Sequence, residues 1–291
     1  MFDLKPLNRP RVSVVTPVLN EDESLRALHR DLDRLLGDSL FEFIVVHSPR
    51  SSAKTRETCG ELAKRDPRVR VIEQRDNPGV GRAFREGYAI ATGDPILSVD
   101  SDGEMEAEAV PKMLAKMIEG NHGLVVGSRW APGGGFVGYS RLKKPLNLMF
   151  QRLFGLLFQT KIHDLTYGFK LTRGEVVRSI EWEATLHEIG CETTLKPIRL
   201  GVSVAEVPTI WTARMSGRSS NRFSSNFRYV KTALAILFKG VRITREFARS
   251  DQSLAEFASE PRSRSVPGRP SRESNAAESN RFAEIARAAD S

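Results

Sequence analysis

The chain of 291 residues lacks most features of secreted and metal-thiolate proteins. Its two cysteines, Cys59 and Cys191, lie far apart and outside any CxxC pattern. This spacing argues against a disulfide framework and a cysteine zinc site, and it favours a reducing compartment. His29, His122, His163 and His187 show no metal-ligand spacing, so we interpret these four residues as incidental.

Long apolar stretches are also missing. The longest uninterrupted runs, such as residues 233–238, fall well short of the ~20 residues that span a bilayer. The N-terminal sequence MFDLKPLNRPRVSVV has no charged start followed by an apolar signal core. We therefore expect a cytoplasmic protein that does not cross a membrane.

Acidic residues are scarce in two regions. None occurs from Gly120 to His163, and residues 212–249 hold nine basic residues against one acid, Glu246. The net charge is +8, and residues 250–291, with 6 basic and 7 acidic residues, contribute nothing to that excess. A basic globular part favours phosphorylated ligands, anionic lipid or nucleic acid.

From residue 11 to 127 the sequence alternates short β-branched runs with segments of helical period. The runs cover residues 12–16, 41–46, 69–72, 96–99 and 123–126, and the helical segments cover 23–36, 56–65, 81–91 and 106–119. This pattern predicts an α/β fold with a mostly parallel sheet flanked by helices. Ligands of such sheets bind at the carboxyl ends of the strands.

The composition divides the chain into three parts. We predict an N-terminal lead at residues 1–10, a catalytic domain at 11–249 and a disordered tail at 250–291. The tail is rich in Ser, Arg, Pro, Glu and Ala and cannot bury enough apolar surface to fold. Within the domain, basic amphipathic helices are predicted near 142–158 and 223–247.

The segment ILSVDSDGEME carries the clearest chemical signal. An apolar run ends at Asp100 and Asp102, which precede a turn at Gly103. Mg²⁺ and Mn²⁺ prefer one or two carboxylates together with phosphate oxygens, so this pair can hold a metal-bridged diphosphate. The alternative is that both carboxylates cap the following helix.

A second signal is NPGVGRAFREG, which follows the third predicted strand. Gly79 and Gly81 permit a tight turn at a helix start, where free N–H groups attract anions. The two glycines and Asp100 also imitate a dinucleotide-binding fingerprint. However, Phe84 occupies the third glycine or alanine position of the fingerprint, and the fingerprint normally follows the first strand of the sheet and not the third. A nicotinamide-dependent enzyme is therefore an alternative function with weaker support.

Six motifs in order resemble the family 2 glycosyltransferases, and most closely their polyprenyl- or dolichyl-phosphate sugar synthases. They are VSVVTPVLNEDESL, NPGVGRA, DSD, VVGSRW, DLTYGFK and EVPTIWTARMSGRSS, and the resemblance covers about residues 11–235. It implies a GT-A fold, which is Rossmann-like. It also implies an inverting, metal-dependent transfer of a sugar from a nucleotide-diphosphate sugar, with Mg²⁺ or Mn²⁺ as cofactor.

The resemblance also assigns roles to individual residues. It places Asp100, Asp102 and Glu104 at the metal and Asp102 in catalysis. The donor-binding positions that it implies, together with the glycine segment, are Pro17, Asn20, Glu21, His47, Asn77, Gly79, Gly81, Asp100, Arg129, Arg141, Arg214 and Ser219. The arginines suit this role because a guanidinium can bind two phosphate oxygens at once; an exposed, solvated side chain is the alternative for each.

One motif departs from the family. Where an acidic D-D-G-S type segment usually follows the second strand, this chain reads HSPRSS, from His47 to Ser52. The loss of both acids removes hydrogen-bond acceptors for a nucleobase. Either the nucleotide is bound differently, or the donor is unusual, or the protein is a catalytically impaired nucleotide-sugar-binding regulator or assembly partner.

The acceptor determines whether a general base is needed. A lipid phosphate is already ionised near neutral pH, whereas a hydroxyl acceptor must lose its proton to a carboxylate. Asp164, in DLTYGFK, is the candidate for that base or for positioning the acceptor; a turn cap is the structural alternative.

The two basic amphipathic helices favour a polyprenyl phosphate acceptor and peripheral contact with the cytoplasmic face of a membrane, unless their apolar faces pack inside the protein. No motif supports nucleic-acid binding.

Overall fold

A computed structural model of the protein describes residues 2, 4–75, 79–140, 143–213 and 225–244. In chain order the strands are β1 (Val12–Val18), β2 (Leu40–His47), β3 (Val69–Glu73), β4 (Ile96–Ser98), β5 (Leu124–Ser128), β6 (Gly135–Val137), β7 (Lys170–Thr172), β8 (Val204–Pro208) and β9 (Ile210–Thr212). The five predicted runs correspond to β1 to β5. The tail from residue 250 lies outside the described residues, so its predicted disorder stays a prediction.

Seven strands form the central sheet in the order β3-β2-β1-β4-β7-β5-β8. All neighbouring pairs are parallel except those of β7, which runs antiparallel to both β4 and β5. A separate two-stranded sheet pairs β6 with β9. The predicted mostly parallel sheet flanked by helices is confirmed, and β7 is the exception that the sequence did not reveal.

The α-helices include all six predicted segments, of which 23–36 has its predicted ends, and two helices that were not predicted, Gly174–Ser179 and Ile189–Arg199. They are α1 (Glu23–Leu36), α2 (Ala53–Arg65), α3 (Val80–Ile90), α4 (Ala109–Glu119), α5 (Lys143–Leu157), α6 (Gly174–Ser179), α7 (Ile189–Arg199) and α8 (Ser225–Lys239). The predicted start of α4 at Glu106 is wrong by three residues. Glu106 instead uses its carboxylate to accept hydrogen bonds from Thr209 and Ile210, which holds the chain outside the helix.

Alternation along the strands divides the core between the two faces of the sheet. Val14 and Phe43 face a cluster that the leucines of α1 complete, whereas Val15 and Ile44 face a cluster with α3 and α7. The sheet is therefore buried on both sides, as expected for α/β proteins. Within the described residues, no helix has the length and apolar character that crossing a bilayer requires.

The direction of β7 determines which segments meet at the carboxyl edge of the sheet. Lys170, the first residue of β7, pairs with Ser98 of β4 and with Val126 of β5. Because β7 is antiparallel, the segment before it lies beside the segments that follow β4 and β5. Residues 164–169 are thereby brought next to Arg129 and to residues 100–104, here called the DSDGE loop.

Candidate active site

A cavity of about 380 Å³, here called the edge cavity, opens at this edge of the sheet. Its walls come from the segments after β4, β5 and β6, the segment before β7, helices α3, α7 and α8, and the end of β9. Among the residues that line it are Asp100, Asp102, Glu104, Arg129, Tyr139, Tyr167, His187 and Trp211. The volume is in the range of small-molecule sites.

Four predicted site residues meet in the edge cavity: Asp100, Asp102, Glu104 and Arg129. Oδ1 of Asp102 accepts a hydrogen bond of 3.0 Å from the backbone N–H of Glu104, which fixes the turn. Neither aspartate caps α4, whose N-cap Glu108 makes no side-chain capping bond. The helix-cap alternative is therefore wrong, although Asp102 does cap a local turn.

The acidic loop is tied to β9. Nε1 of Trp211 donates a hydrogen bond of 3.1 Å to Oε2 of Glu104, and the backbone N–H of Thr212 donates to the Glu104 carbonyl. This contact orients one carboxylate at the edge cavity. Trp211 itself lines the edge cavity and also packs against the hydrophobic core.

The acidic residues do not form a complete metal centre by themselves. Within the described part of the chain, no three His, Cys, Asp or Glu side chains lie close enough to hold a metal ion together. Oxygen ligands on one loop nevertheless fit a hard divalent cation that takes its other ligands from phosphate and water. Asp100 and Asp102 fit that donor set, with the third carboxylate at Glu104 held by Trp211.

Arg129 and Asp164 form a buried ion pair behind the edge cavity. Nε and Nη2 of Arg129 donate to the two carboxylate oxygens of Asp164 at 2.7 and 2.9 Å, and the backbone N–H of Arg129 donates at 3.2 Å. Asp164 is fully buried and Arg129 is 9% exposed. The arginine is thus a fixed wall residue and not a solvated side chain.

The ion pair changes the interpretation of Asp164. Burial opposes its ionisation, but the Arg129 guanidinium outweighs burial and lowers the pKa of Asp164 below its ordinary value. Both oxygens accept hydrogen bonds from Arg129, and Gln151 and Thr166 also donate to Oδ1. A general base needs an accessible oxygen and a suitably high pKa. This geometry therefore does not fit the predicted base and fits a positioning role.

The remaining walls are largely aromatic. The ring of Tyr139 contacts a tilted Phe136 ring and, edge to face, the Trp211 ring, with centroids 4.7 and 5.2 Å apart. Such rings supply flat surfaces for a sugar or a base. His187 also lines the edge cavity; its interpretation as incidental, which rested on the lack of metal-ligand spacing, stays a prediction.

The loops after β1 and β2 form a neighbouring part of the same edge. Val18 pairs with His47, and Oδ1 of Asn20 accepts a hydrogen bond from the N–H of Ser52. Oε2 of Glu21 accepts hydrogen bonds from the backbone N–H groups of residues 19 and 20. Pro17, Asn20, Glu21 and His47 thus lie together, outside the lining of the edge cavity.

The HSPRSS segment, which differs from the acidic motif of the family, forms the turn between β2 and α2. Oγ of Ser52 accepts a hydrogen bond from the N–H of Thr55 and is the N-cap of α2. Oγ of Ser48 accepts a hydrogen bond from the N–H of Arg50. The segment is therefore a well-formed turn into α2, with His47 buried at its start.

Gly79 and Gly81 are explained by packing. A Cβ on Gly79 would lie 2.4 Å from the carbonyl oxygen of Thr185, and a Cβ on Gly81 would lie 2.7 Å from that of Leu186. The backbone at the start of α3 thus approaches the loop before α7 more closely than any side chain permits. This contact accounts for the glycines without a dinucleotide. Asn77, Arg141, Arg214 and Ser219 lie outside the described residues.

Comparison with known proteins agrees with this geometry. Residues 13–180 match the family model described as glycosyl transferase family 2. The chain belongs to this glycosyltransferase family. The match includes β1 to β7, and thus the DSDGE loop, Arg129 and Asp164.

Two similar proteins have names that combine a lipid phosphate with mannosyl transfer. The dolichol-phosphate mannosyltransferase of Pyrococcus furiosus is 29% identical over 76% of this chain and 62% of its own length. The undecaprenyl-phosphate mannosyltransferase of Micrococcus luteus is 27% identical over 72% of this chain and 86% of its own. The chain thus spans less than two thirds of the length of the Pyrococcus relative.

Solved structures support the fold. Glucosyl-3-phosphoglycerate synthase from Mycobacterium tuberculosis, in complex with Mn²⁺, uridine-diphosphate-glucose and phosphoglyceric acid, has a TM-score of 0.59 to this chain. The sequences are 20% identical, and the match covers 78% of this chain and 79% of the other. Divalent metal use and nucleotide-sugar binding thus occur among proteins of this fold.

Proposed function

We propose that this glycosyltransferase transfers a sugar from a nucleotide-diphosphate sugar to a polyprenyl phosphate, with Mg²⁺ or Mn²⁺ and with inversion at C1. The observation that carries the proposal is that two aspartates and a buried, oriented arginine line one cavity at the carboxyl edge of the sheet. Asp100 and Asp102 are the proposed metal ligands, with Glu104 beside them. When bound, the metal supplies positive charge that stabilises the departing diphosphate.

Arg129 is proposed to bind phosphate oxygens in the edge cavity. Its Nε and Nη2 are held by Asp164, and Nη1 makes no hydrogen bond with the described residues. The guanidinium is therefore fixed in orientation and keeps one donor nitrogen for a ligand. Pre-oriented donors stabilise charge without reorganising during the reaction. Asp164 is proposed as the positioning residue for this arginine.

The burial of Asp164 also supports a phosphate acceptor. A hydroxyl acceptor needs a carboxylate that can take its proton, and the candidate base is occupied by Arg129. A polyprenyl phosphate already carries an ionised oxygen near neutral pH, so it needs no such base. The names of the mannosyltransferase relatives point to the same acceptor class.

The outer surface of α5 and α8 is proposed to lie on an anionic membrane. The two helices contact each other through Phe150 and Tyr229, whose ring centroids are 6.3 Å apart. Leu156 and Phe238 are 77% and 76% exposed, and neither helix contains an acidic residue. Large exposed apolar side chains among cations are typical of helices at a lipid surface. Such contact would bring the edge cavity to its lipid acceptor.

The decisive experiment is a transfer assay with the full chain. Radiolabelled nucleotide sugars are incubated with undecaprenyl phosphate and Mn²⁺ or Mg²⁺, and the lipid product is counted. We expect Asp102→Asn to lower turnover at least about 100-fold. Asp38→Asn, at an exposed carboxylate before β2, is the matched control and should retain full activity.

The alternatives give different results. Undiminished turnover in Asp102→Asn would refute the metal role. Binding of a nucleotide sugar without transfer to any acceptor would favour the catalytically impaired regulator or assembly partner. A chain that binds no nucleotide sugar would refute both functions.

A further inference from the structure

Tyr167 is a buried tyrosine in the wall of the edge cavity whose hydroxyl has no partner among the described residues. The residue is 3% exposed, and its Oη makes no hydrogen bond within the part of the chain that the structure describes. Buried polar atoms without a partner are rare in folded proteins, and each needs an explanation. Tyr167 also lines the edge cavity, so the missing partner can be a ligand.

The neighbours of Tyr167 indicate the chemistry of that ligand. The Arg129 guanidinium carbon lies 4.3 Å from the centre of the Tyr167 ring. The backbone of the next residue, Gly168, is close to Asp100, since a Cβ there would lie 3.7 Å from Oδ2 of Asp100. Tyr167 therefore contacts the arginine assigned to phosphate, and its neighbour in the chain is close to an aspartate assigned to the metal.

The protonation state makes the hydroxyl a donor. Burial raises the pKa of Tyr167 well above its ordinary value, and the carboxylates of Asp164, Asp100 and Asp102 raise it further against the opposing effect of Arg129. The phenol therefore keeps its proton at physiological pH. With Nη1 of Arg129, it gives this wall a second hydrogen-bond donor, and an acceptor oxygen is what such a pair would bind.

We propose that the Tyr167 hydroxyl donates a hydrogen bond to a phosphoryl oxygen of the bound substrate. This inference rests on the proposed function, and it gives a binding role to Tyr167, a residue of the DLTYGFK motif to which the family resemblance assigned none. The phosphoryl oxygen belongs either to the donor diphosphate or to the acceptor phosphate. Both sources present the same chemistry to the hydroxyl, and separate binding measurements distinguish them.

The test compares two buried tyrosines with opposite hydrogen-bond status. Tyr167→Phe removes a hydroxyl without a partner, so the melting temperature should stay equal or rise. Tyr88→Phe is the matched control, because the Tyr88 hydroxyl is 2.7 Å from Oγ of Ser98 and the residue is 6% exposed. Tyr88→Phe should lower the melting temperature and leave ligand affinity unchanged.

Affinity is measured by calorimetry on the full chain. One arm uses ADP, CDP, GDP and UDP with Mn²⁺, and the other uses undecaprenyl phosphate in detergent micelles. We expect Tyr167→Phe to weaken one of them about 10- to 100-fold, as for the loss of a hydrogen bond to a charged group. Weaker nucleotide binding would assign the hydroxyl to the donor diphosphate, and weaker lipid binding would assign it to the acceptor phosphate.

Two results would overturn the inference. The first is equal affinity of Tyr167→Phe and wild type in both arms. The second is a lower melting temperature of Tyr167→Phe, which would show that an internal water or group already satisfies the hydroxyl in the free protein. A wild type that binds none of the probes would instead refute the proposed function, and the phosphate ligand of Tyr167 with it.

Discussion

Asp164→Asn removes the charge that balances Arg129 inside the protein, and its effect can be estimated from the geometry. Both partners are buried, and two short side-chain hydrogen bonds join them. The asparagine is isosteric, so the variant changes charge and hydrogen bonding with little change in volume. Breaking such a pair while leaving one charge buried costs about 3–5 kcal/mol of the free energy of unfolding.

The assay is urea unfolding of wild type and variants at pH 7. Asp164→Asn should lower the unfolding midpoint strongly, whereas Glu108→Gln, which breaks an exposed pair with Arg34, should lower it far less. The double variant Arg129→Met/Asp164→Leu should lose less than Asp164→Asn alone, because it leaves no buried charge. Activity should fall in the double variant despite its recovered stability, since Arg129 is the proposed phosphate ligand.

The pH dependence of the same pair has a definite sign. The pKa of Asp164 is lower in the folded protein than its ordinary value of 3.8. Its contribution to stability is therefore fully present above about pH 5 and is lost as the pH falls below 3.8 through the folded pKa. Asp164→Asn should flatten that part of the stability curve. A loss below about 1 kcal/mol at pH 7, or an unchanged acid limb, would refute the reasoning.

Three further predictions concern separate parts of the molecule. Trp211→Phe should weaken Mn²⁺-dependent nucleotide binding about threefold to tenfold, because it releases the Glu104 carboxylate that the indole holds. The control Trp130→Phe loses a hydrogen bond to Asn147 outside the edge cavity and should leave nucleotide binding unchanged. Equal effects of the two substitutions in calorimetry would contradict this prediction. Burial lowers the pKa of Lys170 to about 7. Burying the neutral amine therefore costs no stability above its ordinary pKa of 10.5, and the free energy of unfolding decreases as the pH falls from 10.5 toward 7. Urea unfolding of Lys170→Met should lack this slope, and a slope identical to that of wild type would count against it. The double variant Leu156→Gln/Phe238→Gln should lose at least about tenfold in flotation with phosphatidylglycerol vesicles while keeping nucleoside diphosphate affinity; unchanged flotation would exclude this face as the membrane contact.

The sequence predicted the elements whose pattern is local. The leucine spacing of α1 defined both ends of that helix, and the β-branched runs located β1 to β5. In contrast, β7 is only three residues long, and β8 reads VAEVP, in which Ala, Glu and Pro are unfavourable for strands, so neither gave a clear strand signal. Short strands of this kind depend on their neighbours for stability.

The candidate site was predictable in its residue types but not in its pairings. The carboxylates at 100 and 102 end a strand, and strand ends mark the ligand edge of a parallel sheet. The partnership of Arg129 with Asp164 joins residues 35 positions apart and depends on the reversed direction of β7. Without that direction, Asp164 was a candidate for a general base or for positioning the acceptor, and Tyr167 had no predicted role.

The place of β7 between β4 and β5 also limits where the chain can be cut. By its hydrogen bonds to β4 and β5, β7 connects strands β3, β2, β1 and β4 to strands β5 and β8. A fragment that stopped before Lys170 would leave β4 and β5 each with an unpaired ladder, and such open edges recruit strands from other molecules. Truncations intended to isolate the donor-binding half should therefore aggregate unless they retain Lys170–Thr172.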